Sequence, residues 1–261
     1  MEYRYYLFAL KREKLMTTNK REAIKAQRTR KKRQRRMNTL IGAGVFIIIV
    51  IIVLISPTIY NQLKPAGNFI HITPVARPLV NGNSIGDPNA KVKVLVFEDY
   101  QCPYCKDYTQ QVEPQLDAST YITSGQVYYK FMQFPFLDEN SATKESHQAS
   151  NASMCALEQR RFWDYHDMLF ANQGAENSGS FNNKRLQAFA DALGLDMTKF
   201  NQCFSQNKYS AQIETDYQES ISMGVTRTPT VLVNGKNIAP GVFPSWDILK
   251  AAIDAALASG G

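Results

Sequence analysis

The chain has 261 residues, enough for one sizeable domain with extensions. Its formal net charge of +7 is unevenly held: residues 1–37 contain 14 Lys/Arg and 3 Asp/Glu, whereas residues 38–261 carry a net charge of −4. The basic character is confined to one end, which excludes a basic nucleic-acid-binding globular domain and leaves a basic tail to be explained.

That tail, residues 1–38, runs into an uncharged apolar stretch from Thr39 to Ser56. Eighteen helical residues at about 1.5 Å each reach roughly 27 Å, close to the hydrocarbon thickness of a bilayer. Residues 39–56 therefore read as a transmembrane helix. The cluster Arg28, Arg30, Lys31, Lys32, Arg33, Arg35 and Arg36 just before it places the N-terminus in the cytoplasm and everything after Ser56 outside, in the cell membrane's extracytoplasmic space. The apolar run is too long for a cleaved signal peptide, and no small-x-small cleavage pattern follows it, so an uncleaved anchor is expected. This topology accounts for the basic residues without nucleic acid.

Residues 57–85, with Pro57, Pro65, Pro74, Pro78 and Asn81-Gly82-Asn83, read as an extracytoplasmic linker. The folded domain is expected over 86–258, starting at Gly86-Asp87-Pro88. A strand over about 91–98 is apolar on both faces, as a central strand should be. A helix should run from Cys102 towards Leu116, with Pro114 kinking or ending it. Gln126–Phe134 reads as a second strand. A helical block over about 138–223 follows. In it Cys155, Phe162 and Leu169 recur at heptad spacing on one helix face, and Leu186, Phe189, Ala190 and Leu193 form a stripe stopped by Gly194. Met197, Phe200 and Cys203 share a short helix, and Tyr209, Ile213, Tyr217 and Ile221 make a last stripe ended by Gly224. Thr230–Val233 is a strand, Asn234-Gly235 a hairpin turn into Lys236–Ile238, and 244–257 a final helix.

Chemistry concentrates at Cys102-Pro103-Tyr104-Cys105, at the junction of the first strand and its helix. Cys102 falls at the helix N-cap and Pro103 at the first helical position, where a missing N–H costs nothing. The unpaired N–H groups of the first turn and the helix dipole stabilise a thiolate on Cys102. Cys105 lies on the same helix face and can close a disulfide with it, so one sulfur attacks while the other resolves. A four-cysteine zinc site is disfavoured because Cys155 and Cys203 are singletons far apart. Outside the cytoplasm those two are expected to form a structural disulfide, with two buried free thiols or an electron relay to the first pair as the alternatives. No grouping of His71, His147 or His166 with Asp or Glu along the chain suggests a metal site, and His166 reads as a packed helix residue. No phosphate loop appears, and neither a metal nor another cofactor is expected.

Three motifs occur together in order: Gly86-Asp87-Pro88-Asn89-Ala90, Phe97-Glu98-Asp99-Tyr100-Gln101-Cys102-Pro103-Tyr104-Cys105, and Gly224-Val225-Thr226-Arg227-Thr228-Pro229-Thr230. With this order of elements, residues 84–258 resemble the thioredoxin superfamily, within it the DsbA-like group with a helical insertion. The resemblance implies an α/β thioredoxin fold with an inserted helical subdomain, here preceded by one transmembrane helix. It also implies that Pro229 is cis and lies against the cysteine pair, leaving the backbone of Thr228 to bind an extended substrate strand. Two departures stand out. The buried carboxylate that many such proteins place six residues before the first cysteine is Val96 here; Glu98 and Asp99 are near, but strand alternation is taken to point them elsewhere, so the role is not transferred. Strong oxidases often have His between the cysteines, whereas this chain has Pro103-Tyr104.

The resemblance implies a thiol–disulfide oxidoreductase acting on protein thiols through Cys102 and Cys105, expected to be an oxidase of secreted or envelope proteins. A membrane quinone-linked reoxidase is the implied partner. A monomer is expected, since no separate dimerisation domain is present. A reductase or isomerase using the same residues is one alternative. A membrane-tethered binding or chaperone module using the groove beside Pro229 is another, and it would survive loss of Cys102.

Overall fold

The computed structural model describes residues 25, 27–53, 66–139 and 141–260. Two units are formed, 1–64 and 65–261. The first contains helix α1 (Gln27–Val53), 27 residues with mean hydropathy 2.2 over its apolar window and none of that window buried. It is long and apolar enough to cross a membrane. The basic cluster at Arg28–Arg36 belongs to the same continuous helix as the apolar run, so the expected border near residue 38 is one of polarity only. Residues 54–56 of the expected span lie outside the described residues.

The second unit is built on a six-stranded sheet in the order β1-β2-β4-β3-β5-β6. Its centre is β3 (Val92–Glu98), parallel to β4 (Val127–Gln133) and antiparallel to β5 (Thr230–Val233). Between β3 and β4 the chain passes through α2 (Pro103–Gln111), α3 (Glu113–Asp117) and α4 (Thr120–Thr123). The break between α2 and α3 falls at Val112, just ahead of Pro114, as the proline demands. A short 3-10 turn (Phe136–Asp138) leads into five inserted helices: α5 (Glu145–Leu157), α6 (Phe162–Ala171), α7 (Asn183–Ala192), α8 (Met197–Ser205) and α9 (Ser210–Ser222). After β5, Asn234-Gly235 turns into β6 (Lys236–Asn237), and α10 (Trp246–Ala258) closes the fold. This is the thioredoxin fold with an inserted helical subdomain.

Strand β3 is covered on both sides. Val92, Val94 and Val96 join a large core with Tyr108, Tyr129, Phe131, Phe162 and Phe170, while Phe97 packs with Met132, Phe134, Val225 and Leu232 on the opposite face. The heptad spacing of Cys155, Phe162 and Leu169 does not mark one helix. The chain turns between α5 and α6 at Arg160, in a left-handed conformation (φ 59°), and all three residues reach the same core from two helices. Cys155 of α5 is bonded to Cys203 of α8.

The linker expectation for 57–85 needs correction. Residues 57–65 lie outside the described residues, but the rest is part of the domain. A hairpin, β1 (Val80–Asn81) with β2 (Ser84–Gly86), adds two strands beside β4. Gly86 closes it at φ 95°, where a Cβ would lie 2.3 Å from the Val127 carbonyl oxygen, so no other residue fits. The preceding strap, residues 66–79, packs Phe69 on Phe189, and the Asn172 side-chain amide accepts from the Ile70 N–H (2.7 Å) and donates to the Ile70 carbonyl (2.9 Å). Arg77 is its anchor: buried, bidentate to Asp167 at 2.8 and 2.9 Å, 3.0 Å from Asp117, and stacked over Trp163. Four prolines suggest a linker only while these distant partners are out of view.

Removing one member of a buried ion pair leaves the others uncompensated, at a cost of about 3–5 kcal/mol. Arg77→Ala should lower the unfolding free energy of the domain by about that amount in urea titrations, and Arg77→Lys should recover only part, lacking the bidentate fork. A loss under about 1 kcal/mol would mean that the strap is not integral to the fold.

Candidate functional site

The site forms where β3 ends. After Glu98 the chain makes a tight loop, Asp99–Gln101, and enters α2 with Cys102 at the N-cap and Pro103 following, as the spacing predicts. The loop is held by the helical insertion. Asp99 accepts hydrogen bonds from the backbone N–H of Gln101 (2.8 Å) and Leu137 (3.0 Å) and from the Ser146 hydroxyl (2.6 Å). Gln101 donates to Ser146 and accepts from the Asn177 N–H. Gln173, just past α6, donates to the carbonyls of both Tyr100 (2.7 Å) and Cys102 (2.8 Å).

Both cysteines are thiols, and both are buried: Cys102 is 4% exposed and Cys105 0%. Between them Tyr104 stands out at 62% exposure. The Thr228–Pro229 peptide is cis, as the resemblance implies, and the Thr228 carbonyl lies 3.5 Å from Cys102 Sγ. Beside it opens a cleft of about 470 Å³, lined by Tyr104, Arg227, Thr228, Pro229, Val242 and Phe243 among others.

The two sulfurs are electrostatically unlike. Cys102 is brought down to about 6, first by the hydrogen bond from the Cys105 thiol, with burial opposing, then by Thr228 and the backbone N–H groups of Cys105 and Tyr104. Those last two belong to the first helical turn, where the Cys105 N–H also donates to the Cys102 carbonyl at 3.1 Å. Cys105 is pushed well up, mainly by burial, with the Cys102 hydrogen bond and the charge of Glu98 adding to it. At neutral pH the pair therefore holds one thiolate, on the outer sulfur, and one thiol beneath it.

Glu98 corrects the alternation argument. Positions 96 and 98 differ by two residues and so share a face; only Asp99 points elsewhere. Glu98 is fully buried, and neither carboxylate oxygen has a hydrogen-bond partner among the described residues. Burial raises its pKa to about 8; His166 opposes this, and the Glu113 and Cys102 charges add to it. Histidine grouping was also invisible in one dimension. His166 Nε2 sits 3.9 Å from both Glu98 and Glu113, and its Nδ1 is 2.9 Å from Asp167. Burial favours neutral imidazole, but Glu113, Asp167 and Glu98 override it and raise the pKa. Glu98, Glu113 and His166 present ligand-type atoms within 4.8 Å of one another and are the residues that could hold a metal ion. The Arg77 guanidinium, 3.9 Å from Glu113, supplies positive charge to the same cluster. Strand parity could have found Glu98; His166, Gln173 and Arg77 depend on the packing of the insertion and carried no signal.

A strand-to-helix Cys-x-x-Cys with an activated outer sulfur, a buried partner and a cis-proline against it is equipped for thiol–disulfide exchange. A family profile described as thioredoxin matches residues 79–255. The chain belongs to the thioredoxin family. Two probable disulfide bond formation proteins D resemble it. That of Bacillus anthracis is 27% identical and that of Bacillus cereus 29%, each over 224 residues covering 83% of this chain and 96% of the relative. The crystal structure of oxidised BdbD from Bacillus subtilis superposes with a TM-score of 0.59 at 26% identity, covering 67% of this chain and 92% of that one. This thioredoxin-family chain is a DsbA-like thiol–disulfide oxidoreductase.

Thiolate absorbance at 240 nm, followed against pH in the reduced protein, should titrate with a midpoint near 6. A midpoint near that of a free thiol, about 8.5, would contradict the geometry described here.

Proposed function

We propose that this protein is a membrane-anchored disulfide oxidase that introduces disulfides into secreted or envelope proteins. The N-terminus lies in the cytoplasm and the thioredoxin domain outside. The observation that carries the reading is the division of labour at the pair: a stabilised thiolate on Cys102 and a buried thiol on Cys105. A site that stabilises its reduced form in this way has a disulfide that is readily given up. The names of the Bacillus relatives support disulfide formation, and the basic residues ahead of the apolar run of α1 support the orientation.

In this reading Cys102 and Cys105 are catalytic and start as a disulfide. A substrate thiolate attacks Cys102 Sγ. A bond forms between substrate sulfur and Cys102, the Cys102–Cys105 bond breaks, and its electron pair stays on Cys105 Sγ. Glu98, protonated by burial, is placed to give that sulfur its proton and is refilled by the proton the substrate thiol released. A second substrate thiolate attacks the first substrate sulfur, the substrate disulfide forms, and Cys102 leaves as the stabilised thiolate. Two electrons have passed from substrate to enzyme. A membrane quinone-linked reoxidase would take them on, with α1 keeping both partners in one plane. The backbone of Thr228, beside Pro229, holds the substrate segment as an added strand. Cys155–Cys203 braces the insertion, and the chain acts as a monomer.

The test uses the oxidised protein and reduced, unfolded ribonuclease A. Wild type should restore ribonuclease activity and Cys102→Ser should not; reduced Cys105→Ser mixed with disulfide-scrambled ribonuclease A should accumulate a covalent adduct, its Cys102 thiolate attacking a ribonuclease disulfide and releasing a ribonuclease thiolate, and dithiothreitol should dissolve it. Unimpaired function of Cys102→Ser would point instead to a binding or chaperone module.

A further inference from the structure

The cleft beside Thr228-Pro229 has features that thiol exchange alone does not require. Two of its walls are apolar and open: Tyr104 from α2 is 62% exposed, and Val242 from the loop between β6 and α10 is 61% exposed. Arg227 lines the same cleft, next in sequence to Thr228, whose carbonyl lies 3.5 Å from Cys102 Sγ. Its side chain reaches the opposite wall, with Nη1 4.0 Å from where a Cβ on Gly241 would stand. Gly241 leaves that wall open.

The charge of Arg227 is unanswered. Arg77, Arg161, Lys208 and Lys250 each have a carboxylate within ion-pair distance. Arg227 has none among the described residues, and no acidic side chain lines the cleft. This cation stands in a region of the chain, residues 38–261, whose net charge is −4. The overall field therefore does not favour acidic partners, and an attraction for them has to come from local contact in the cleft.

We propose that the cleft selects extended, cysteine-bearing segments that carry an apolar residue next to the cysteine and a carboxylate within two residues of it, and that Arg227 reads the carboxylate. This rests on the proposed exchange reaction and names its substrate class. A segment paired with the backbone at Thr228 advances about 3.3 Å per residue. With its sulfur at Cys102, positions one and two residues away pass over Arg227. Tyr104 and Val242 supply the apolar contact, and the unpaired guanidinium discriminates by charge, a means of rejecting lysine-flanked cysteines as well as favouring acidic ones.

The experiment uses the full oxidised chain in detergent and three peptides that differ only in the residue two after a single cysteine: Asp, Asn or Lys. The rate at which each peptide reduces the Cys102–Cys105 disulfide is followed by fluorescence and divided by the rate at which the same peptide reduces the uncharged disulfide 2,2′-dithiodipyridine at that salt, so that the intrinsic reactivity of each peptide thiol cancels. Asp should exceed Lys by about threefold to tenfold in 50 mM salt, shrinking towards unity in 500 mM. Arg227→Gln should flatten the ratio and Arg227→Glu should invert it. An Asp-to-Lys ratio unchanged in Arg227→Glu overturns the proposal, as does a wild-type ratio of one. If no peptide reacts while dithiothreitol reduces the pair, peptide exchange at this groove is itself refuted, and the proposal falls with it.

Discussion

Negative charge is stable on one sulfur and not on the other, and much of the domain serves that asymmetry. Cys102 sits where α2 presents the N–H groups of its first turn, with the Cys105 thiol and Thr228 completing its shell. Cys105, one turn on, has no exposure, and burial is the main cause that holds its thiol protonated. Two identical side chains three residues apart thus occupy opposite electrostatic environments. Helix termini supply the donors, but donors must be held in place, and this falls to the insertion. Asp99, Gln101 and Gln173 tie the loop before Cys102 to Leu137, Ser146 and Asn177, so the helical subdomain works as a clamp on the redox turn.

Beneath the pair lies a buried charge cluster whose removal from water costs several kcal/mol per ion unless each charge is answered. Glu98, Glu113, Asp117 and Asp167 face two cations, His166 and Arg77. Carboxylates outnumber cations, so the neutral, protonated form of Glu98 is the one burial favours. The same burial that makes the cluster costly keeps a proton within reach of Cys105. Arg77 comes from the strap ahead of the sheet, so the segment that joins the domain to α1 in sequence also completes the electrostatics under the site.

What could be read from the sequence was local. Apolar residues on both faces of Val92–Glu98, the Cys-Pro-Tyr-Cys turn, the Asn234-Gly235 hairpin and the stops at Gly194 and Gly224 are all set within a few residues, and each appears in the fold where its pattern places it. What escaped depended on partners far along the chain. The strap reads as a linker in sequence because its prolines are local, whereas Asp167, the partner of Arg77, is 90 residues away. His166 and Gln173 are unremarkable members of a helical block until the insertion folds over β3. Glu98 is the exception: two residues on from Val96, it shares that residue's face by strand parity. The cysteine, histidine and acid chemistry is thus one site assembled from segments no short motif connects.

The central claim is that thiolate stabilisation on Cys102 makes the Cys102–Cys105 disulfide easy to give away. The direct measurement is the reduction potential of the pair, from its equilibrium with a glutathione buffer at pH 7. A value in the oxidising range, about −120 to −180 mV, is expected. A value near or below about −250 mV would mean the disulfide is the favoured state, and would assign the protein to reduction instead.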